Sequence, residues 1–349
     1  MMQIDLSANQ VSTKIFGLGN IRFIVLLWQT SSRILILLLL LVLFLYLTLA
    51  FGREGMDNPW LEMKTCYQQF ILLQIRLPRA LVAIGAGMTL ALSGALFQII
   101  TRNALGSPDI IGINAGAGVG IMAALLFWPD VVPVSVGALI GAAVAVLLVY
   151  LANGTVNGKI QTVKIVLSGI AVAALSMALV DVAISNGRIE QAQQIRSLLS
   201  GSLAHRGWQD VVLISSMLVF MPILFWLGKQ LNYISLGNDI AITLGVSVRL
   251  VQIISILLAI IFSTLSVLVV GPVAFVALAA PQIARRIIQR KGVALFCSML
   301  MGALLMLSAD FITLILPTPG RLTVGLVTAV IGGIYLIYLL HMEFRRIGG

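Results

Sequence analysis

Arg76 and Arg79 stand three residues apart at the head of a long apolar run, with Pro78 between them. Pro78 suits a first helical turn, and that spacing sets the two guanidiniums on neighbouring positions. Arginine pairs bidentately with carboxylates, so two at a membrane rim would orient an acidic docking protein; they would equally anchor a helix at the lipid–water interface. The run ends at Gln98-Ile-Ile-Thr-Arg102-Asn103-Ala104-Leu105-Gly106-Ser107-Pro108. Asn, Gly and Pro within six residues make a sharp turn. As a constriction at the mouth of a span, Asn103 and Leu105 would plug it.

A second pattern is Leu236-Gly237-Asn238-Asp239-Ile240-Ala241-Ile242-Thr243-Leu244-Gly245. Leu236, Ile240, Ala241 and Leu244 are spaced for one face of a short helix, with Asn238 or Asp239 as cap and Gly245 as stop. Such a helix rests in the lipid interface or fits a groove on a cytosolic partner. The lack of lysine and arginine favours the partner. Gly271-Pro272 and Pro281, ahead of Arg285 and Arg286, read as a kinked span or a hinge. Asp181 and Asp310 fall toward the outer ends of spans. A carboxylate at the bilayer centre costs roughly 2.5–3.5 kcal/mol on insertion scales, so an interfacial hydrogen-bond site is expected rather than a proton relay.

Enzymatic chemistry has little to stand on. Gly154-Thr-Val-Asn-Gly158-Lys159 has one residue too few between its glycines and no Ser/Thr after the lysine, so it is not a phosphate-binding loop. Cys66 and Cys297 are far apart, and His205 and His341 share no ligand spacing. No metal or cofactor is expected on this chain, and any ATPase, with its ATP and Mg, must be another chain.

The elements that must hold these residues follow from composition. Of 349 residues, 60% are hydrophobic and 10% charged, with mean hydropathy +1.09, against about 25% charged in soluble domains. The apolar runs lack strand alternation, so an all-α polytopic bundle is expected. At roughly 17–25 residues per span, ten fit near 33–52, 78–100, 109–128, 133–153, 163–185, 208–229, 246–264, 271–289, 293–315 and 322–341. Residues 1–32 and 342–349 are then cytoplasmic tails, the first span being too long for a cleaved signal. The lysine and arginine bias, strongest at Arg285, Arg286, Arg290 and Lys291, puts both termini in the cytoplasm. The net charge of +10 is scattered between spans, which argues against nucleic acid and for an anionic leaflet. Residues 186–207 form a long polar outer segment. Gly112, Gly116 and Gly120, with Gly137 and Gly141, carry Gly-x-x-x-Gly spacing for close helix packing, with dimer contact or pore lining as alternatives.

The ordered set Arg76-Leu-Pro-Arg79, Ser93-Gly94…Gln98, Arg102-Asn103…Pro108, Trp208, Leu236-Gly237…Gly245, Gly271-Pro272…Pro281…Arg285 and Val324-Gly-Leu-Val-Thr328 resembles the FecCD/BtuC-type permeases of ATP-driven importers for iron-siderophores, haem and vitamin B12. The resemblance covers about residues 70–341. It implies a type II ABC importer permease of ten spans, in a bacterial inner membrane. Its partners would be a second, homologous but non-identical permease chain, two cytosolic ATPases and a periplasmic binding protein. By the same resemblance, Arg76 and Arg79 meet acidic knobs on the binding protein. Leu236, Gly237, Asp239, Ala241, Leu244 and Gly245 belong to the segment that docks on the ATPase, and Asn103, Leu105 and Thr162 to the cytoplasmic gate. Arg102-Asn-Ala-Leu-Gly-Ser-Pro-Asp109 and Gly332-Gly-Ile-Tyr-Leu-Ile-Tyr338 are most similar to permeases for ferric enterobactin and related catecholates.

The chain departs from the family pattern at several positions. Asn103-Ala104-Leu105 replaces Asn-Pro-Leu, which implies a looser gate turn. Pro281-Gln282 replaces Pro-His, which removes a titrating group there. Leu322-Thr323, after Arg321, replaces Leu-Pro, and Phe311-Ile-Thr-Leu314 lacks the arginine that several relatives carry after the aspartate. Arg321 is expected to supply that outer contact. Met177, Ser176 and Asn114 would suit a broad, weakly binding path. Haem or vitamin B12 import by the same machinery is the near alternative. An ion-coupled secondary transporter would need a mid-span acid and often an internal repeat, and neither is evident.

Overall fold

The computed structural model describes residues 32–52, 55–56, 66–109, 111–129, 131–153, 162–199, 201–204, 206–288, 294–316 and 322–347. Each of the ten expected spans is occupied by helix. Helix α1 is Ser32–Ala50. A two-residue antiparallel pair, β1 (Phe51–Gly52) and β2 (Gly55–Met56), closes its end. Then come α2 (Cys66–Ile71), a π-turn at Leu72–Arg76, and α3 (Leu77–Thr101). Next are α4 (Ile113–Phe127), α5 (Val134–Asn153) and α6 (Thr162–Asn186). Helix α7 (Ile189–Leu199) lies within the polar segment. The sixth span is α8 (Trp208–Ser215), a 3-10 turn at Ser216–Phe220 and α9 (Met221–Ser235). After the short α10 (Asn238–Thr243) come α11 (Val248–Val270), α12 (Val276–Ile288), α13 (Leu295–Ile315) and α14 (Val324–Ile347).

Helix α3 is the hub. Of its most apolar window 83% is buried, against 17% for α6, so α3 runs through the protein and α6 along its surface. The reason is in its side chains. Gly87 abuts Gly302 of α13, where an added Cβ would lie 2.2 Å from the Gly302 carbonyl oxygen. One to two turns on, a Cβ on Gly94 would lie 1.7 Å from the Ala277 oxygen of α12. Beside these contacts the Ser93 hydroxyl donates to the Ala259 carbonyl of α11 at 2.7 Å, and the Gln98 amide to the Leu278 carbonyl of α12 at 3.0 Å. Backbone approach plus interhelical hydrogen bonds is how helices associate where lipid supplies no hydrophobic drive. Ser93, Gly94 and Gln98 are thus packing residues.

The second seam joins α4 to α5. Gly116 meets Gly141 and Gly120 meets Gly137, with virtual Cβ distances to the facing carbonyls of 2.7 and 2.0 Å. The Gly-x-x-x-Gly faces serve intramolecular packing, while Gly112 (φ 82°) faces Gly169 of α6 instead.

Two boundaries differ from the sequence expectation. Helix α11 continues to Val270, because Ser263, Thr264 and Ser266 are buried within the bundle rather than marking an end. Helix α12 starts at Val276, not at Pro272: Gly271 (φ 90°) stops α11, and Phe275 (φ 67°) turns the chain before helix resumes. Pro281 lies inside α12 without interrupting it.

Candidate functional site

The two ends of α3 hold different chemistry. At its start the π-turn leaves backbone carbonyls out of register with the helix ladder, and Trp208 Nε1 donates to one of them, Leu73 O, at 3.1 Å. Arg76 donates through Nη1 to Leu49 O at 2.9 Å, joining the end of α1 to this turn. Arg79 forms a forked ion pair with Asp310 of α13. Nη2 lies 2.7 Å and Nε 3.1 Å from Oδ1, and Nε lies 3.2 Å from Oδ2. Thr313 Oγ1 accepts a further bond from Nη2 at 3.3 Å. The Asp310 side chain is 1% exposed and that of Arg79 26%. The carboxylate is neutralised by Arg79 itself, and the arginine absent after Asp310 is not needed for it. Both arginines are therefore structural braces whatever else they meet. Arg321 lies outside the described residues.

At the other end of α3 the chain folds into a pinned turn. Arg102 closes the helix in the left-handed region (φ 49°). Asn103 Oδ1 accepts from the Leu105 N–H at 2.9 Å, and Asn103 O from the Gly106 N–H at 3.0 Å. Gln282 Nε2 of α12 donates to Ala104 O. Gln282, which stands where the family has histidine, thus holds the carbonyl of Ala104, which stands where the family has proline. Asp109 accepts from Asn114 Nδ2, and Asn114 Oδ1 accepts from Ser263 Oγ of α11 at 2.6 Å. The Phe275 N–H also donates to the Asp109 carboxyl group. Leu105 is exposed and Asn103 partly so. Thr162 opens α6. Of the other suggested path residues, Met177 faces outward, whereas Ser176 and Asn114 are buried, Asn114 in the bond to Ser263.

Helix α10 sits at this same end. Gly237 (φ 129°) starts it and Gly245 (φ 81°) ends it, conformations that glycine adopts without a steric penalty. Leu236, Ile240, Ile242 and Leu244 are 63, 49, 60 and 56% exposed, while Ala241 is fully buried. Ala241 therefore belongs to the inward side, not to the outward face with Leu236, Ile240 and Leu244; it packs where α10 crosses onto the bundle. Asp239 lies in the first turn. Ala241→Leu is expected to overpack this contact, at about 1–3 kcal/mol, and lower the unfolding midpoint in detergent. Ile240→Ala should leave the midpoint unchanged.

Apolar side chains are exposed on several helices, as on α1, α5 and α9. Helix α6 exposes Leu167, Ile170, Leu175 and Val182, and α14 exposes Val330, Ile334 and Ile337.

The arrangement is that of an apolar bundle with seven helices long and apolar enough to cross a membrane among the described residues, and sequence comparison shows its family. The model of the FecCD transport family matches residues 30–342. The chain belongs to this family. Members with assigned roles include the Fe(3+)-citrate import system permease protein YfmE of Bacillus subtilis (strain 168), 36% identical over 282 residues, 80% of this chain and 84% of that protein. The ferric enterobactin transport system permease protein FepG of Escherichia coli (strain K12) is 37% identical over 278 residues, 79% and 84% of the two chains. Among solved structures, an inward-facing metal-chelate type ABC transporter superposes with a TM-score of 0.77 at 28% identity, over 89% of this chain and 99% of that one. As a FecCD member the chain is a multi-pass membrane permease rather than an enzyme, and ATP hydrolysis belongs to separate subunits.

Proposed function

We propose that this FecCD permease is the transmembrane half of an ATP-driven importer that carries ferric chelates across a bacterial inner membrane. Catecholate siderophores are the favoured cargo. The observation that carries the coupling part is α10, a glycine-bounded helix presenting Leu236, Ile240, Ile242 and Leu244 beside the pinned turn. Four apolar side chains with few charges fit a groove on a cytosolic ATPase. Asn103, Leu105 and Thr162 form the cytoplasmic gate in this reading, and both chain termini are cytoplasmic. The uncovered apolar faces of α6 and α14 take the second permease chain, with the path between the two. The motif around Arg102–Asp109 favours enterobactin-like cargo, whereas the citrate relatives keep ferric citrate open.

Docking of the periplasmic binding protein falls to the Arg76 end, with Arg321 as a further contact. Because Arg79 holds Asp310, reversing its charge would damage the fold, so the docking test uses Arg76. In proteoliposomes with the ATPase and partner permease, Arg76→Glu is expected to raise the binding-protein concentration for half-maximal ATPase stimulation ~10-fold and to change its salt dependence. An unchanged curve would leave Arg76 as a brace to α1 alone. The same vesicles separate the transport readings. Uptake of radiolabelled ferric catecholate should require ATP and survive collapse of the proton gradient. Uptake that follows the gradient would instead indicate ion coupling.

A further inference from the structure

We propose that Arg102 is the positioning residue that fastens α10 to the gate turn, so that a displacement of α10 moves Asn103 and Leu105 directly. This rests on the reading of α10 as the ATPase-docking helix. Arg102 Nη2 donates to Asn238 Oδ1 at 2.7 Å. The acceptor is the first residue of α10, and the donor is the last residue before Asn103. The bond thus joins the first residue of α10 to the residue beside Asn103, although the two are 136 positions apart in sequence.

Three features of the surroundings make this bond a linkage. First, Arg102 stands at φ 49°, a left-handed helix cap where glycine or asparagine is the comfortable residue. A long side chain is held there against backbone preference, and strain of this kind concentrates at switch regions. Second, α10 lies between two positive-φ glycines, Gly237 and Gly245, the sort of element ends that absorb a hinge motion. Third, the turn is stiff. The Leu105 and Gly106 N–H groups both bond Asn103, Gln282 holds the Ala104 carbonyl, and Asp109 is held from Asn114 and Phe275. A pull applied at Arg102 is therefore passed to Asn103 and Leu105 rather than dissipated within the loop. Energetic coupling between sites travels through such two-ended contacts between rigid elements. Ordinary surface bonding is the competing account, and it predicts no effect on coupling.

The test is Arg102→Gly in the complete complex of both permeases, ATPases and binding protein, with Arg102→Lys alongside. Glycine suits the left-handed cap, so its variant should unfold no earlier than the parent. Uptake of ferric chelate per ATP hydrolysed is expected to fall about fivefold, while ATPase turnover without binding protein persists. Arg102→Lys, which keeps a charged donor, should recover part of the ratio. An unchanged ratio in the glycine variant would overturn the linkage, and so would a lowered unfolding midpoint, which would make Arg102 a stability brace. If the unmodified complex shows no ATP-dependent uptake, the transport reading falls and the linkage falls with it.

Discussion

Arg79→Ala is expected to remove most of the folded protein, and Arg79→Leu combined with Asp310→Leu to recover it. The single change leaves the Asp310 carboxylate 1% exposed with its forked partner gone. Removing one member of a buried ion pair costs about 3–5 kcal/mol, because the remaining charge is uncompensated. Asp310→Ala should be milder, since the Arg79 side chain keeps 26% exposure and can reach solvent. Replacing both by leucine removes the charges together and fills similar volume, a change that is often neutral. The measurement is the yield of monodisperse protein and its unfolding midpoint in detergent for the two single variants and the double. A loss in the double variant as large as the two single losses added together would show that the charges act independently. The double variant also isolates docking, since it lacks the Arg79 charge without the structural defect.

That pair was partly legible in the sequence. A carboxylate in a span needs a partner, and Asp310 and Arg79 both fall at outer span ends, 231 residues apart. Nothing local joins them, because the link is made by α3 packing antiparallel to α13 through Gly87 and Gly302. Helix in each of the ten expected spans was readable because long apolar runs are a composition signal that tertiary packing does not reverse, and seven of the described helices are long and apolar enough to cross a membrane. Their ends were less so. The run crosses Ser263–Val270 without a stop before Gly271-Pro272, and Ser263, Thr264 and Ser266 lie inside α11, where Ser263 bonds Asn114. The fate of Ala241 illustrates the same limit at finer scale. Leu236, Ile240 and Leu244 repeat every four residues, and an alanine one place on from Ile240 fits that face or its inner edge equally well. Only the bundle beneath α10 selects the inner edge. The Arg102–Asn238 bond had no sequence signal beyond an arginine where a glycine cap would serve.

Gly94→Ala is the other change with a large expected effect, out of proportion to a single methyl group. At Gly94 the added carbon would lie 1.7 Å from the Ala277 carbonyl oxygen and 2.5 Å from its carbonyl carbon. Ordinary carbon–oxygen contact begins near 3.3–3.6 Å, so α3 and α12 would have to separate by well over an ångström. Neighbouring bonds depend on that approach. Gln98 to Leu278 O, at 3.0 Å, lies one turn along the same crossing, and Ser93 to Ala259 O, at 2.7 Å, is the next residue. A shift large enough for the methyl breaks the first and strains the second in a region where water cannot replace them. The variant is expected to fail to accumulate as a monodisperse species. Gly228→Ala is the control: its nearest neighbour beyond the helix, Leu295 Cδ1, would be 3.7 Å away. Alanine there gains helix propensity, up to about 1 kcal/mol, and should accumulate at least as well as the parent. Normal accumulation of Gly94→Ala would mean that α12 can move off α3 without unfolding. The hub would then be a sliding contact, and the route from the gate turn through Gln282 to α12 would be a movable part of the transport cycle.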